Sequence, residues 1–272
     1  MMRGMRMHET LPVLAAALAI SSPAHAKTIA VAPGDGAQAR LQEALIVAQP
    51  GDVVELGAGR FVLSDGLSLD MRGVTLRGAG MDASVLDFTH QQGSGAGLLV
   101  TAEGVTLRDF AVENTHGDGI KSKAANNIVY FRVRVSWTGG PKASNGAYGL
   151  YPVESDGVLI DGALVEGASD AGIYVGQSRN ITIRHSTARF NVAGIEIENS
   201  THARVTGNLA THNAGGILVF DLPNLPVKHG GDVLVDHNLV LANDTANFAP
   251  KGNIVASVPT GTGVMVMANT GV

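Results

Sequence analysis

Residues 170–199 read DAGIYVGQSRNITIRHSTARFNVAGIEIEN, and this stretch contains one pattern twice. A Gly-Ile pair begins each copy, first at Gly172 and again at Gly194, with an alternating apolar run, ITI, between them. Apolar residues at every second position are typical of a half-buried strand. The stretch therefore predicts a repeating unit built from short strands.

The same unit extends over most of the chain. The Gly-aliphatic pair recurs at Gly119, Gly149, Gly172, Gly194, Gly216 and Gly263, so two long intervals interrupt an otherwise regular spacing. Short strands joined by turns, without a helix in each unit, predict an all-β parallel β-helix with one strand of each kind per coil. Each strand should pair with its equivalent one coil further along, about 4.8 Å away. Asn191, Asn213 and Asn243 recur at one turn and should form a hydrogen-bonded ladder inside the coil.

Composition agrees with this fold. The chain has 272 residues with 35 glycines and 4% aromatic residues, which suits a narrow core with tight corners. We expect one continuous core and one domain over residues 27–272. The net charge of −5 without a basic cluster argues against nucleic acid as a partner.

The N-terminal segment, residues 1–26, has the pattern of a signal peptide. Arg3 and Arg6 precede a short apolar run, and Ala24-His25-Ala26 has the form of a cleavage site. The apolar run is too short to span a bilayer. We therefore predict cleavage after Ala26, a periplasmic or secreted location and no transmembrane span.

The two ends of the predicted solenoid differ. Residues 38–48 have helical spacing, which predicts a capping helix at about residues 36–49 over the open N-terminal coil. The sequence stops inside a Gly-Val strand at residues 263–272. We expect either that the sequence is truncated there or that a protein partner covers the open C-terminal coil.

Several motifs resemble a known superfamily. PGD at residues 50–52 and VTLRGAG at residues 74–80 resemble the opening of pectin-lyase-like right-handed β-helix proteins. DAGIYVGQS and VAGIEIENS resemble a narrower group of exported β-helix repeat proteins of unassigned biochemical role. The resemblance implies a right-handed coil and a bias toward acidic polysaccharides. It implies no catalytic residues, because the paired aspartates of polygalacturonases and the Asp-Pro-His-Asp run of mannuronan epimerases are both absent.

Strand geometry gives a set of candidate site residues. If the aliphatic residue of each Gly-aliphatic strand points inward, the next residue and the one two further on point outward. The first outward column reads Lys121, Tyr151, Tyr174, Glu196 and Leu218, and the second reads Lys123, Glu154, Gln177, Glu198 and Phe220. The candidates for catalysis are Lys121, Tyr151, Tyr174 and Glu196. The candidates for substrate binding are Asp118, Lys123, Lys142, Tyr148, Asp170, Gln177, Glu198, Phe220 and Asp221.

Insertions flank this face. Residues 139–148 and 244–262 lengthen two coils at one corner, and residues 221–231 form a loop at the opposite end of the same strands. Insertions confined to one side of a repeat scaffold usually build its binding surface. A groove is therefore expected along residues 118–220.

The predicted chemistry stays open at this point. β-Elimination or C5 epimerisation of an acidic polysaccharide would use Lys121 or Lys123 with Tyr151 or Tyr174, whereas glycoside hydrolysis would use the carboxyl groups of Glu196 and Glu198 or of Asp170. The same carboxylates could hold Ca²⁺, although no cofactor is firmly indicated. The favoured hypothesis is an exported protein that binds an acidic polysaccharide and cleaves or epimerises it. The alternative is a binding or envelope assembly module without catalysis, in which the charged residues are solvated strand positions and the tyrosines a stabilising stack.

Overall fold

The computed structural model describes residues 26–272. The predicted signal peptide lies outside this range except for Ala26, and its cleavage stays a prediction. Within the described range, no helix is long and apolar enough to cross a membrane.

Residues 26–272 form one α-helix, one short 3-10 helix and 23 strands. The helix α1 is Ala37–Val47 and the 3-10 helix is Ile254–Ser257. The strands are β1 (Thr28–Val31), β2 (Val53–Leu56), β3 (Gly59–Val62), β4 (Leu67–Leu69), β5 (Thr75–Arg77), β6 (Ser84–Asp87), β7 (Leu98–Val100), β8 (Thr106–Glu113), β9 (Ile120–Lys123), β10 (Ile128–Ser136), β11 (Tyr148–Val153), β12 (Asp156–Asp161), β13 (Leu164–Glu166), β14 (Ala171–Gly176), β15 (Arg179–Arg184), β16 (Thr187–Arg189), β17 (Ala193–Glu198), β18 (Thr201–Thr206), β19 (Leu209–Thr211), β20 (Gly215–Phe220), β21 (Gly231–Asp236), β22 (Leu239–Leu241) and β23 (Thr262–Met267).

The strands stack into three parallel faces. The first face runs β1-β2-β5-β8-β10-β12-β15-β18-β21, and the third runs β4-β7-β9-β11-β14-β17-β20-β23. The second face contains β3, β6, β13, β16, β19 and β22, and it shares β8 and β10 with the first. Those two long strands bend where Asp109 and Arg132 adopt left-handed conformations, with φ of 60° and 49°. The predicted parallel β-helix is confirmed.

The core is a column of aliphatic side chains surrounded by polar ladders. Ile173, Ile195 and Ile217 are fully buried one above another. The predicted asparagine ladder is present: Asn213 Oδ1 accepts from the backbone N–H of Asn191 at 3.0 Å, and Asn213 donates to Asn243 Oδ1. These bonds satisfy backbone groups at a buried corner that would otherwise lack partners.

A second kind of ladder was not predicted from the sequence. The backbone N–H of Ser155 donates to the hydroxyl of Ser178, and the N–H of Ser178 donates to the hydroxyl of Ser200. The signal was present, because the three serines recur at the interval of the repeat. They fix the turn that follows each strand of the third face, and the candidate site lies on that face.

Helix α1 lies within the predicted cap segment. Its buried residues Leu41 and Leu45 belong to the main hydrophobic cluster, and α1 contacts β1, β3 and β4. The helix thereby covers apolar side chains of the first coil that no preceding coil shields.

Candidate functional site

The first predicted column on the third face has the expected register. Lys121 pairs with Tyr151, Tyr174 pairs with Glu196, and the column continues through Leu218 to Met265. The spacing predicted this register because strands that recur at a nearly constant interval place equivalent residues one above another. These side chains therefore form a continuous row along the solenoid.

The second predicted column needs a correction. Lys123 pairs with Val153, and Glu198 pairs with Gly176 and Phe220. Glu154 and Gln177 lie one residue beyond the strands, in left-handed conformations with φ of 56° and 50°. The chain turns at these two residues, so they leave the column and lie on the corner after it.

The loops convert part of this face into a pocket. In the 244–262 insertion, Val255 and Val258 pack with Leu218 and Phe220 in a second hydrophobic cluster outside the core. Leu222 and Leu225 of the 221–231 loop also line the pocket. The pocket is open to solvent and has a volume of about 450 Å³, and its polar and aromatic lining includes Tyr148, Tyr151, Asp170, Tyr174, Gln177, Glu196, Glu198, Phe220 and Asn253.

Three tyrosines form one wall of the pocket. The centroid of the Tyr148 ring lies 4.5 Å from the centroid of the Tyr151 ring and 4.6 Å from that of the Tyr174 ring. The centroids of the Tyr151 and Tyr174 rings are 4.9 Å apart, and these two rings meet edge to face. The Nζ of Lys121 lies 4.3 Å from the centroid of the Tyr151 ring and 3.8 Å from Asp118 Oδ2. The aromatic wall thus already contacts one ammonium group on its outer side.

Three carboxyl groups face the pocket with few partners. Glu196 is 1% exposed and Asp170 is 7% exposed, and neither Glu196 Oε2 nor Asp170 Oδ1 has a hydrogen-bond partner within residues 26–272. Asn253 Nδ2 donates to Asp170 Oδ2 at 3.1 Å, and the Tyr174 hydroxyl donates to Glu198 Oε1 at 2.7 Å. Buried carboxyl oxygens without partners are costly and mark a place where a ligand can supply donors.

Burial changes the acidity of these groups. It raises the pKa of Asp170 to about 7, an effect that the Asn253 hydrogen bond partly offsets. Burial, followed by the charges of Asp170 and Glu198, raises the pKa of Glu196 well above its ordinary value. Burial also raises the pKa of Glu198, while the hydrogen bond from Tyr174 opposes that rise. The pocket therefore holds carboxyl groups that can carry protons near neutral pH.

The tyrosines keep their protons in this setting. Burial raises the pKa of Tyr151 to about 12, and burial raises the pKa values of Tyr148 and Tyr174 still further. A phenol that keeps its proton acts as a hydrogen-bond donor and an apolar surface. The proton exchange expected of Tyr151 or Tyr174 is therefore disfavoured.

Four of the predicted binding residues lie outside the pocket lining. Lys142 is exposed in the 139–148 insertion, and Lys123 forms a surface ion pair with Glu154 at 3.6 Å. Asp118 lies beside the tyrosine wall, where Oδ1 accepts from the Tyr148 N–H at 3.3 Å. Asp221 holds the base of its loop, because its carboxylate accepts from the Gly230 N–H and from Asn269.

The possible Ca²⁺ site of the sequence analysis gains no support from the described residues. Across residues 26–272, no three histidine, aspartate or glutamate side chains are grouped so that they could hold a metal ion.

Sequence reasoning missed Asn253, which contacts Asp170 from a distant part of the chain. The available signal was the length of the 244–262 insertion, and it does not indicate which of its residues reaches the face. Gly176 was also missed. A Cβ at this position would lie 2.5 Å from Tyr174 Cζ, so the ring of Tyr174 lies directly over Gly176.

Comparisons with known proteins agree with the architecture. Residues 72–229 match the family model described as the right-handed β-helix region. No curated protein matches the chain in a sequence comparison.

Three solved structures illustrate the likeness. An alginate lyase from Paenibacillus sp. str. FPU-7 has 18% identity and a TM-score of 0.50, and the alignment covers 78% of this chain and 95% of the lyase. The pre-mature bacteriophage phi29 gene product 12 has 16% identity and a TM-score of 0.57, and the alignment covers 85% of this chain and 34% of the phage protein. The catalytic unit of a GH87 alpha-1,3-glucanase from Streptomyces thermodiastaticus strain HF3-3 has 20% identity and a TM-score of 0.54, and the alignment covers 82% of this chain and 48% of the glucanase.

At these identities the likeness establishes the fold alone. The family match covers more than half of the chain, and the three stacked parallel faces have the architecture that the match requires. The chain therefore belongs to the right-handed β-helix family.

Proposed function

We propose that the protein binds a carbohydrate in the pocket on its third face and hydrolyses a glycosidic bond there. The observation that carries this proposal is the pair Glu196 and Glu198. Both are buried, both lie on β17, both line one pocket, and their environments differ. Hydrolysis of a glycoside needs two such carboxyl groups, one protonated and one ionised.

The environments assign the two roles. Glu196 Oε2 has no hydrogen-bond donor within the described chain and the group keeps its proton, so it acts as the general acid on the glycosidic oxygen. Glu198 accepts the hydroxyl of Tyr174, which favours the ionised form, so it acts as the base. Its carboxylate takes a proton from water as the water oxygen bonds to the anomeric carbon. The bond between that carbon and the glycosidic oxygen breaks, and the leaving oxygen takes the proton of Glu196.

Spacing and surface chemistry support the same assignment. Residues two apart on a strand project their side chains from the same face, and their Cα atoms lie about 6.6 Å apart. Two carboxyl groups placed in this way can reach the separations that glycosidases use, about 5–5.5 Å in retaining enzymes and roughly 6.5–9.5 Å in inverting ones. The tyrosine wall offers aromatic surface against which a sugar ring can pack.

Relatives of the same fold motivate the choice of substrate class. The structures similar to this chain include an alginate lyase and an alpha-1,3-glucanase, which by name act on polysaccharides. This likeness supports a glycan as the ligand. The lining of the pocket, which among the described residues includes carboxyl groups and no lysine or arginine, supports hydrolysis over elimination.

The test is a reducing-end assay on a panel of neutral, acidic and amino polysaccharides. Glu196→Gln and Glu198→Gln should each lower the rate by about 10²-fold or more, since each removes one proton-transfer group. Glu55→Gln is the matched control, because Glu55 is a partly exposed residue of the first face that pairs with Arg77. Turnover that survives both pocket substitutions would refute the assignment, and binding without turnover of any polymer would favour a binding module.

A second candidate is elimination or epimerisation of an acidic polysaccharide at the outer side of the tyrosine wall. One observation favours it: Lys121 Nζ lies beside Tyr151 and Asp118, so a cation and a phenol meet on the open groove. Elimination would create an unsaturated uronate, which is detected by its ultraviolet absorbance. Lys121→Ala should abolish that signal if this candidate is right and leave hydrolysis largely intact if the first is right.

An exported location is part of the proposal. It depends on the signal-peptide pattern of residues 1–26. Expression of the full chain with N-terminal sequencing of the protein outside the cytoplasm tests it, and a mature chain that begins at Lys27 is the expected result.

A further inference from the structure

The lining of the pocket on the third face is acidic. Within the described chain, its lining contains the three carboxyl groups of Asp170, Glu196 and Glu198 and no lysine or arginine. Buried carboxylates on the first two faces are paired with cations; Glu113, for example, pairs with Arg60 and Arg134 at 2.7 Å. The contrast singles out the pocket as a place where buried acid groups lack a counter-charge from the described residues.

One oxygen atom of Asp170 lacks a donor from residues 26–272. Asp170 Oδ1 is buried without a hydrogen-bond partner, although the second oxygen of Asp170 is held by Asn253. An ammonium group carries three donors and a full charge, so it can satisfy this oxygen and pair with the ionised carboxylate at once. A neutral hydroxyl carries one donor and no charge.

The aromatic wall adds a second, independent contribution. Tyr148, Tyr151 and Tyr174 meet within 4.9 Å of one another beside the carboxyl groups, and aromatic faces attract ammonium groups within about 6 Å. The wall already does so on its outer side, where Lys121 Nζ lies 4.3 Å from the Tyr151 ring. Carboxylate and aromatic groups together are the usual surroundings of a bound organic cation.

We propose that the pocket binds a sugar with a free amino group, and that Asp170 is the anchor for its ammonium while the tyrosines pack against the ring. This inference rests on the proposed function and narrows its substrate to a de-N-acetylated amino sugar. Asp170 suits the anchoring role because it lies in the turn before β14, apart from the two glutamates of β17. The geometry thus separates the group that holds the amine from the pair that handles protons.

The experiment compares ligands that differ in one group. Chemical-shift perturbation of the isotopically labelled protein is followed with glucosamine, N-acetylglucosamine and glucose at neutral pH, because monosaccharides make the comparison independent of linkage. Glucosamine should bind about tenfold more tightly or better, since a charged hydrogen bond replaces a neutral one, and the shifts should map to Tyr148 and Tyr174. Equal or weaker binding of glucosamine overturns the proposal, as does a preference whose shifts map elsewhere.

Variants sharpen the result. Asp170→Asn should abolish the preference for glucosamine over N-acetylglucosamine, whereas Glu154→Gln, an exposed residue of the corner outside the pocket lining, should keep it. A preference that persists in Asp170→Asn refutes the anchor. If Asp170→Asn fails to fold, the comparison of ligands with the unaltered protein still decides the class of sugar.

The two proposals can fail separately. Hydrolysis of a neutral glycan without a preference for glucosamine would refute the amino-sugar pocket and leave the hydrolase standing. A preference for glucosamine without turnover of any polymer, including a glucosamine polymer, would refute the hydrolase and leave the amino-sugar pocket standing.

Discussion

Gly176 fixes the position of Tyr174, and replacing it by alanine should displace that side chain. The ring lies over Gly176, where a Cβ would be 2.5 Å from Cζ, 2.6 Å from Cε1 and closer still to the hydroxyl oxygen. Real Cβ atoms do not approach other atoms so closely, and Gly176 has no left-handed φ that would add backbone strain. The ring must therefore move, and its 2.7 Å hydrogen bond to Glu198 must lengthen or break.

The expected magnitude follows from opposing effects. Loss of a hydrogen bond to a charged group costs about 1.5–3 kcal/mol. The lower conformational entropy of unfolded alanine returns about 0.4–1 kcal/mol. We therefore expect Gly176→Ala to lower the free energy of unfolding by about 0.5–2.5 kcal/mol, and to raise the pKa of Glu198 because the Tyr174 bond that opposes the rise is lost.

Urea unfolding and carboxyl titration by NMR measure these two effects. Gly263→Ala is the matched control, since a Cβ on this strand glycine of the third face would meet nothing within 4 Å. Tyr174→Phe removes the same hydrogen bond without moving the ring. Gly176→Ala should therefore lower the free energy of unfolding by less in the Tyr174→Phe variant than in the native protein. If Gly176→Ala is as mild as Gly263→Ala and the Glu198 titration does not move, the placement of Tyr174 is wrong.

Three further predictions concern the pocket and its support. Because the pKa of Asp170 is raised to about 7, the unfolded chain releases this proton at lower pH than the folded protein does. The free energy of unfolding should therefore fall by up to about 4 kcal/mol as the pH rises from about 4 to 7, and Asp170→Asn should flatten that profile in urea unfolding. Asn253→Ala removes a donor from Asp170 and should raise the pKa of Asp170 above about 7 by NMR titration, whereas Ser257→Ala in the same 3-10 segment should not. Asn213→Ala leaves buried groups at the corner unpaired and should lower the unfolding free energy by about 2–5 kcal/mol, whereas the exposed Ser144→Ala should have no measurable effect.

The repeat explains which features the sequence could predict. A nearly constant interval between coils stacks equivalent positions, so the fold, the asparagine ladder and the column of Lys121, Tyr151 and Tyr174 followed from spacing alone. The same reasoning misplaced Glu154 and Gln177, because a left-handed residue at the end of a strand changes direction without changing the interval. Spacing records the register of a coil and not the conformation of its corner.

The burial of Glu196 could not be predicted from the repeat. A strand position that points away from a solenoid core is expected to be solvated, and Glu196 would be so without the loops. It is 1% exposed because residues 244–262 pack Val255 and Val258 on Leu218, its neighbour one coil further along. The conformation of an inserted loop does not repeat, so no interval in the sequence reports which charges it covers.

The division between repeat and insertion also locates the chemistry. The repeat places Glu196 in register with Tyr174, and Glu198 lies two residues further along the same strand. Register alone would leave the carboxyl groups of Glu196 and Glu198 in water with ordinary acidity. The insertion removes the water, and with it the solvation that keeps a carboxyl group ionised. Asn253, on that same insertion, then supplies a hydrogen bond that holds Asp170. A solenoid of this kind therefore acquires a reactive pocket through the loop that covers an otherwise regular face, and substitutions in residues 244–262 should alter the acidity of the pocket more than substitutions in the core strands beneath it.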